Sequence, residues 1–398
     1  MFRFRLILAA FCISILGHNC ARYDAPPGFL ALLLAGSSGS SGSTGCQETR
    51  APQFSAWGKR RVLNIQNSGR AETLNDFPTL VVLNSTRIDY NQTQNSGQDL
   101  RFVDNDGVTT ISHQIETWNE AGNSYVWVRI PQVEASTNAD CIWMYYGNAS
   151  AADGQNATNV WSSDFAGVFH LNSSVADSTS NIANGVVTGG VTDVAGKFSG
   201  GKAFAAGMVQ TPINSPKTAT SVTLSLWFRT NSTNSLRHFV WEGRNGENGW
   251  GNLNVATSHE MHLSQGYFSG PLLNCLNFFY GFESTGQVNA LTAVGSFTDT
   301  TNWHYLTGVV RDAGTAPVGE LYLDGALVAS ASGTTTDRSN WDTNFRMGAD
   351  GTGAAGARAY TGDLDEVRVE TTGRSSNWIS AQFASQNDAG FIAFGNEQ

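Results

Sequence analysis

The stretch GDLDEVRVE, residues 362–370, places three acids within four residues and then alternates apolar with charged side chains. An alternation of period two is the mark of a strand half buried in a sheet. Counted strictly, Asp363, Asp365, Val367 and Val369 share one face, and Leu364, Glu366, Arg368 and Glu370 share the other. The two valines mark the first face as buried, so Asp365 is expected to point inward. A buried carboxylate needs a partner, since leaving it charged and unpaired costs several kcal/mol. Neither face carries three acids in alternation, so the stretch reads as structural and not as a catalytic pair.

The rest of the chain repeats this pattern. Its 398 residues include 43 glycines, and only 14% are charged. Many short strands separated by Gly, Asn, Ser and Asp turns have this composition; a helical bundle does not. The formal net charge of −10 and the lack of any basic run argue against a nucleic-acid partner. The predicted fold class is all-β, with two antiparallel β-sandwich, jelly-roll-like domains in tandem and a short C-terminal helix.

The first residues do not belong to either sandwich. MFRFR carries two arginines, LILAAFCISILG is an apolar run too short to span a bilayer, and Cys20 follows. Residues 1–19 therefore read as a signal peptide and Cys20 as a lipidation site, with simple secretion as the alternative. Leu16 lies four positions before the cysteine and Asn19 next to it, which resembles the looser lipoprotein boxes of spirochaetes. Residues 20–52, with the run GSSGSSGSTG, read as a tether. Cys46, Cys141 and Cys275 are widely spaced and odd in number. They predict no disulfide framework, with Cys141 expected as a buried free thiol.

Residues 53–165 form the first expected sandwich. RRVLNIQN, TLVVLN, DLRFVDNDGV, SHQIETWN, SYVWVRIP and DCIWMYYGN follow one another at about ten-residue intervals. DNDG, Asp104 to Gly107, begins like a calcium loop, but Val108 and Ile115 stand where further oxygen ligands are needed, so a hairpin turn is expected. Trp118, Trp127 and Trp143 are expected in the core. The series Trp57, DFP, DLRFVDNDG, QIETWN, VWVRIP and IWMYYGNASA resembles the bacterial DUF2341 domain, a family of unknown function whose members are envelope-exposed or secreted. The resemblance supplies no catalytic residue.

Residues 166–398 form the second. SVTLSLWFRTN, NWHYLTGVVRD, GELYLDGALVAS and GDLDEVRVE alternate, LDGAL is a tight hairpin, and NWISAQFASQN is the one convincing helix, with Asn377 as its expected cap. DSTSN, TLSLWFRT, NWHYLTGVV, LYLDG, and GDLDEVRV followed by NWISAQF resemble a laminin-G-like, concanavalin A-like jelly roll. That resemblance implies a binding surface for glycans, matrix proteins or partner domains. Within the aromatic-rich stretch after Arg229, Trp241, Trp250, Tyr267, Phe279 and Tyr280 are the candidate ligand platform. It also implies the possibility of a structural Ca2+ between the first and last strands, with Asp177 of VADSTSN and Asp365 as ligands. The alternative for Asp365 is capping by main-chain N–H groups.

HEMH, residues 259–262, is one residue short of the zinc-protease spacing and lies in strand-like sequence, so His259 and His262 are expected to be exposed. Glu242, Glu247 and Glu260 are scattered and match no glycosidase pattern. No catalytic residues are assigned. The expected protein is a non-catalytic, lipid-anchored lipoprotein of a bacterial cell envelope, binding a glycan or extracellular-matrix ligand. The alternatives are an envelope scaffold with a protein partner and a carbohydrate-active enzyme.

Overall fold

A computed structural model describes residues 45–398 except 48, 244–258, 268–271, 283–286, 314–315, 335–340, 342–343, 351–355 and 357. The first sandwich contributes β1 (Lys59–Ile65), β2 (Leu74–Leu83), β3 (Arg101–Val103), β4 (Thr110–Ile111), β5 (His113–Thr117), β6 (Ser124–Val133) and β7 (Cys141–Tyr146). The second contributes β8 (Phe165–Phe169), β9 (Val186–Ala195), β10 (Gly200–Gln210), β11 (Val222–Thr230), β12 (Arg237–Gly243), β13 (His259–Tyr267), β14 (Leu272–Phe282), β15 (Val288–Leu291), β16 (His304–Arg311), β17 (Val318–Leu323), β18 (Ala326–Ser332), β19 (Arg346–Met347) and β20 (Thr361–Glu370). Helix α1 (Ser376–Asn387) and β21 (Ile392–Glu397) complete the chain.

In the first sandwich a sheet ordered β21-β1-β7-β3-β4 faces a sheet ordered β2-β6-β5. Leu63, Ile65, Phe77, Val81, Phe102, Val126, Val128, Ile142 and Met144 fill the space between them. The turn at Asp104–Gly107 links β3 to β4, with Asp106 accepting hydrogen bonds from the Val108 and Thr109 amides. The second sandwich is one rolled sheet in the order β15-β14-β13-β12-β19-β10-β20-β11-β16-β17-β18. Its two halves close on each other through Phe228, Phe239, Leu263, Phe278, Leu306 and Leu321. A side chain on Gly308 would run into Phe278 and Leu263, so the close approach of the halves requires glycine there.

Three expectations are corrected. Cys46 and Cys141 form a disulfide, with Cα atoms 5.7 Å apart and a sequence separation of 95, while Cys275 is the buried free thiol. The segment before the first strand lies against β3 and β7: the Gln47 amide donates to Asn105 O, and the Trp143 indole donates to Gln47 O. That docking brings the cysteines together, and no spacing motif encodes it. Second, α1 is capped by Ser375, whose hydroxyl accepts from the Trp378 amide, and not by Asn377. Third, the tail read with the second domain serves both. Trp378, Ala381, Phe391 and Ile392 lie in the core of the first sandwich, and β21 pairs with β1. Ile379 packs instead on Val309 and Tyr322, and Phe383 on Trp227 and Tyr305. The helix is a wedge between the sandwiches.

Candidate functional site

The strands β12 to β15 send Val240, Met261, Leu263, Leu276, Phe278, Tyr280, Val288 and Ala290 into the core. Their alternate residues therefore share the outer face. Register aligns them in two rows across the sheet. One runs Asn289, Phe279, His262, Trp241 and Arg346, and the next runs Asn277, Ser264 and His238. The His262 ring stacks on His238 at 4.4 Å and on Phe279 at 5.2 Å. The Trp241 indole donates to Glu260 Oε2 at 2.7 Å, and His262 Nδ1 lies 3.5 Å from Glu260 Oε1.

The electrostatics follow from burial. Burial alone would raise the Glu260 carboxyl, but His262, the Trp241 indole and the Arg358 charge hold it below its ordinary value. Burial, assisted by His262 and Arg358, pushes His238 well below the usual imidazole range, so its ring is neutral. Both ring nitrogens of His238, Ser264 Oγ, Asn277 Oδ1 and Asn289 Oδ1 are buried with no hydrogen-bond partner among the described residues. Stacked rings beside uncommitted neutral donors and acceptors suit a ligand rich in hydroxyl groups. Glu242 pairs in register with Met261 and so faces the core, opposite Glu260. These two acids cannot act together on one substrate.

The structure brings Trp241 and Phe279 onto this face, both buried. It turns Tyr280 inward, where the hydroxyl donates to Ala313 O at 2.9 Å. Trp250 and the Tyr267 side chain lie outside the described residues, as do Glu247 and the His259 side chain. His262 is buried, contrary to the expectation of exposure, stacked between the rings of His238 and Phe279. His238, Ser264 and Asn277 were missed, since nothing in the sequence indicates that these three strands align.

The opening stretch lies elsewhere, on β20, and strict alternation fails there. Trp227 pairs with Asp365 and Ser225 with Arg368, so β20 carries one extra residue at Glu366, which has a φ of 50°. The bulge puts Leu364, Val367 and Val369 together in the core and turns Asp365 to the opposite face, against the expectation that it shares the valines' side. Asp365 accepts from the amides of Lys197, Phe198 and Glu366. Burial pushes its carboxyl well up, and these amides pull it back. Asp177 accepts from the amides of Val168, Thr179 and Ala183 and from the Thr179 hydroxyl. Hydrogens point at both carboxylates where calcium would need further oxygens, so this donor set fits N–H capping and not Ca2+.

On the same face, between the sandwiches, Glu116 of β5, His170 and Glu366 converge within 4.8 Å. His170 Nδ1 is 2.5 Å from Glu366 Oε1, Arg368 Nη2 is 2.8 Å from Glu366 Oε2, and Glu116 Oε2 accepts from the Trp127 indole at 2.9 Å. Arg368 also donates to Gln382 of α1 and lies over the rings of Trp127 and Trp161, at 4.4 and 5.0 Å. Within this group His170 Nδ1 and Glu366 Oε1 engage each other, and Arg368 takes the second Glu366 oxygen. Burial, then the neighbouring Glu366 charge, raises Glu116 to about 8. Glu366 would be raised by burial but is held low by His170 and Arg368, and His170 is in turn raised by Glu366 against its own burial.

Solved structures with low similarity include domain 4 of AbnA, a GH43 extracellular arabinanase from Geobacillus stearothermophilus in complex with arabinotriose. It is 14% identical over 55% of this chain and 97% of that one, with a TM-score of 0.41. The binding domain of Paraclostridial Mosquitocidal Protein 1 is 14% identical over 56% of this chain and 52% of that one, with a TM-score of 0.40. The ligand binding domain of botulinum neurotoxin serotype D in complex with N-acetylneuraminic acid is 11% identical over 56% and 51%, with a TM-score of 0.38. The chain thus spans about half the length of these two toxin chains. No curated protein matches the sequence. Residues 96–179 match the domain of unknown function DUF2341, and residues 203–380 match Laminin_G_3 of the concanavalin A-like lectin/glucanases superfamily.

Proposed function

We propose that this protein is a non-catalytic lipoprotein of a bacterial envelope that binds a glycan on the outer face of β12–β15. The observation that carries this reading is the set of buried polar atoms without partners on His238, Ser264, Asn277 and Asn289, next to the stacked rings of His262 and Phe279. The concanavalin A-like match over residues 203–380 supports it. The Cys46–Cys141 disulfide supports an oxidising, exported location.

The test is a glycan array probed with the full chain carrying Cys20→Ser. A subset of glycans should bind. Ser264→Ala combined with Asn277→Ala should weaken binding about tenfold or more, as expected for two hydrogen bonds of ~1 kcal/mol each. Equal binding by this variant would refute the assignment of the face. An empty array together with a co-purifying envelope protein would favour the scaffold reading. For the anchor, metabolic labelling with a fatty-acid probe should mark the wild type and not Cys20→Ser; label on both or on neither would overturn lipidation at that residue.

A further inference from the structure

A cleft of about 270 Å³ opens at the seam between the two sandwiches, far in sequence from β12–β15. Arg87 and Tyr125 line it from the first sandwich, Lys197 and Phe198 from the turn between β9 and β10, and Asn387 from the end of α1. Both cations are partly withdrawn from water, and burial lowers the pKa of each; Asp324 and Asp365 only partly offset this for Lys197. Neither forms an ion pair among the described residues. Arg87 donates to the carbonyls of Val82 and Ala389, and Lys197 Nζ donates to Asn387 Oδ1. Each also lies over an aromatic ring, Arg87 over Phe394 at 4.8 Å and Lys197 over Trp227 at 4.0 Å. Neither has a carboxylate partner, so an incoming anion would add the missing charge pairing.

The remaining hydrogen-bonding capacity of the cleft is biased towards donors. The Asn84 carboxamide oxygen is engaged by the Thr86 amide and hydroxyl, and that of Asn387 by Lys197, which leaves their NH2 groups for a ligand. Asp388 is the lining's acid, and one of its oxygens accepts from the Gly390 amide. The rings of Tyr125 and Phe198, 5.6 Å apart, form an apolar wall. A small inorganic anion would use the cations and leave the wall bare. A pyranose ring bearing a carboxylate would use both.

We propose that this seam cleft binds a uronic-acid residue of an acidic saccharide, separately from any ligand on β12–β15. The experiment is calorimetric titration of the full chain carrying Cys20→Ser with digalacturonate, with neutral galactobiose and with sulfate. Digalacturonate should give saturable heat, with galactobiose and sulfate at least about tenfold weaker. Lys197→Gln should weaken digalacturonate binding about tenfold, Lys197→Arg should largely restore it, and the Ser264→Ala, Asn277→Ala variant should leave it unchanged. Lys197 lies in the turn between β9 and β10, outside the hydrophobic core and only partly buried, so these variants are expected to fold. No saturable heat up to about 10 mM digalacturonate, equal binding of the acidic and neutral disaccharides, or indifference to Lys197→Gln would overturn the proposal. Sulfate as strong as digalacturonate would reduce the cleft to a simple anion site and overturn the sugar assignment. Loss of binding in the Ser264→Ala, Asn277→Ala variant would move the ligand to the other face.

Discussion

Arg368→Ala should destabilise the protein by about 3–5 kcal/mol, the usual cost of removing one member of a buried ion pair. Arg368 is 1% exposed and Glu366 is fully buried, so Glu366 would be left with His170 alone to offset its charge. The same substitution removes the hydrogen bond to Gln382 and the contacts with Trp127 and Trp161, which join the second sandwich to α1 and to the first. Urea denaturation measures the effect. The double variant Arg368→Met, Glu366→Gln should recover about 2 kcal/mol or more, because it leaves no buried charge uncompensated at this pair. A single-variant loss below about 1 kcal/mol would show that the network does not hold the seam.

The pH of that measurement matters. Glu116 and His170 sit above their ordinary values, so the stability they contribute is complete below those values and is lost as pH rises through the folded ones. For Glu116 the window runs from 4.5 to about 8. Glu366 is held low and acts in the opposite sense, its contribution being present above 4.5 and lost on acidification. The two losses meet near pH 4.5, and at about pH 6.5 part of the Glu116 contribution is already gone, so wild type and variants are compared at one fixed pH.

Cys46→Ser should lower stability by about 2–5 kcal/mol. The cross-link closes a loop across a 95-residue separation, and chain-entropy counting for a loop of that size gives about 4–5 kcal/mol. Thermal melting under reducing conditions should bring the wild type down to the melting temperature of the variant. If both melt as the oxidised wild type does, the Cys46–Cys141 cross-link contributes nothing to stability.

Much of this architecture was legible because its signals are local. Asp104–Gly107 and Asp324–Gly325 announce hairpins, with Asp324 and Gly325 both at positive φ, and the strands between such turns alternate with period two. What was not legible depends on distant pairing. A glutamate at positive φ gives no warning of the bulge on β20, and one extra residue there reverses the facing of every later side chain. Cys46 meets Cys141 only because the segment ahead of β1 docks on another strand. Trp378 and Ile379 are adjacent in one helix yet serve different cores. Of the residues expected to form a ligand platform, Trp241 and Phe279 share a face. Phe279 and Tyr280, as consecutive strand residues, could never both have belonged to it, and period two alone settles that.

The return of α1 and β21 to the first sandwich has a mechanical consequence. The jelly roll is inserted into the first sandwich, which holds it by two chain crossings, one before β8 and one after β20. A pull on the jelly roll would be shared between these two covalent paths, with α1 packed between the sandwiches. The load then reaches β1 and β7, side by side in one sheet, with β7 cross-linked through Cys141 to the segment that leads back towards the amino terminus. Load between the two domains would thus travel along a closed frame of two covalent crossings.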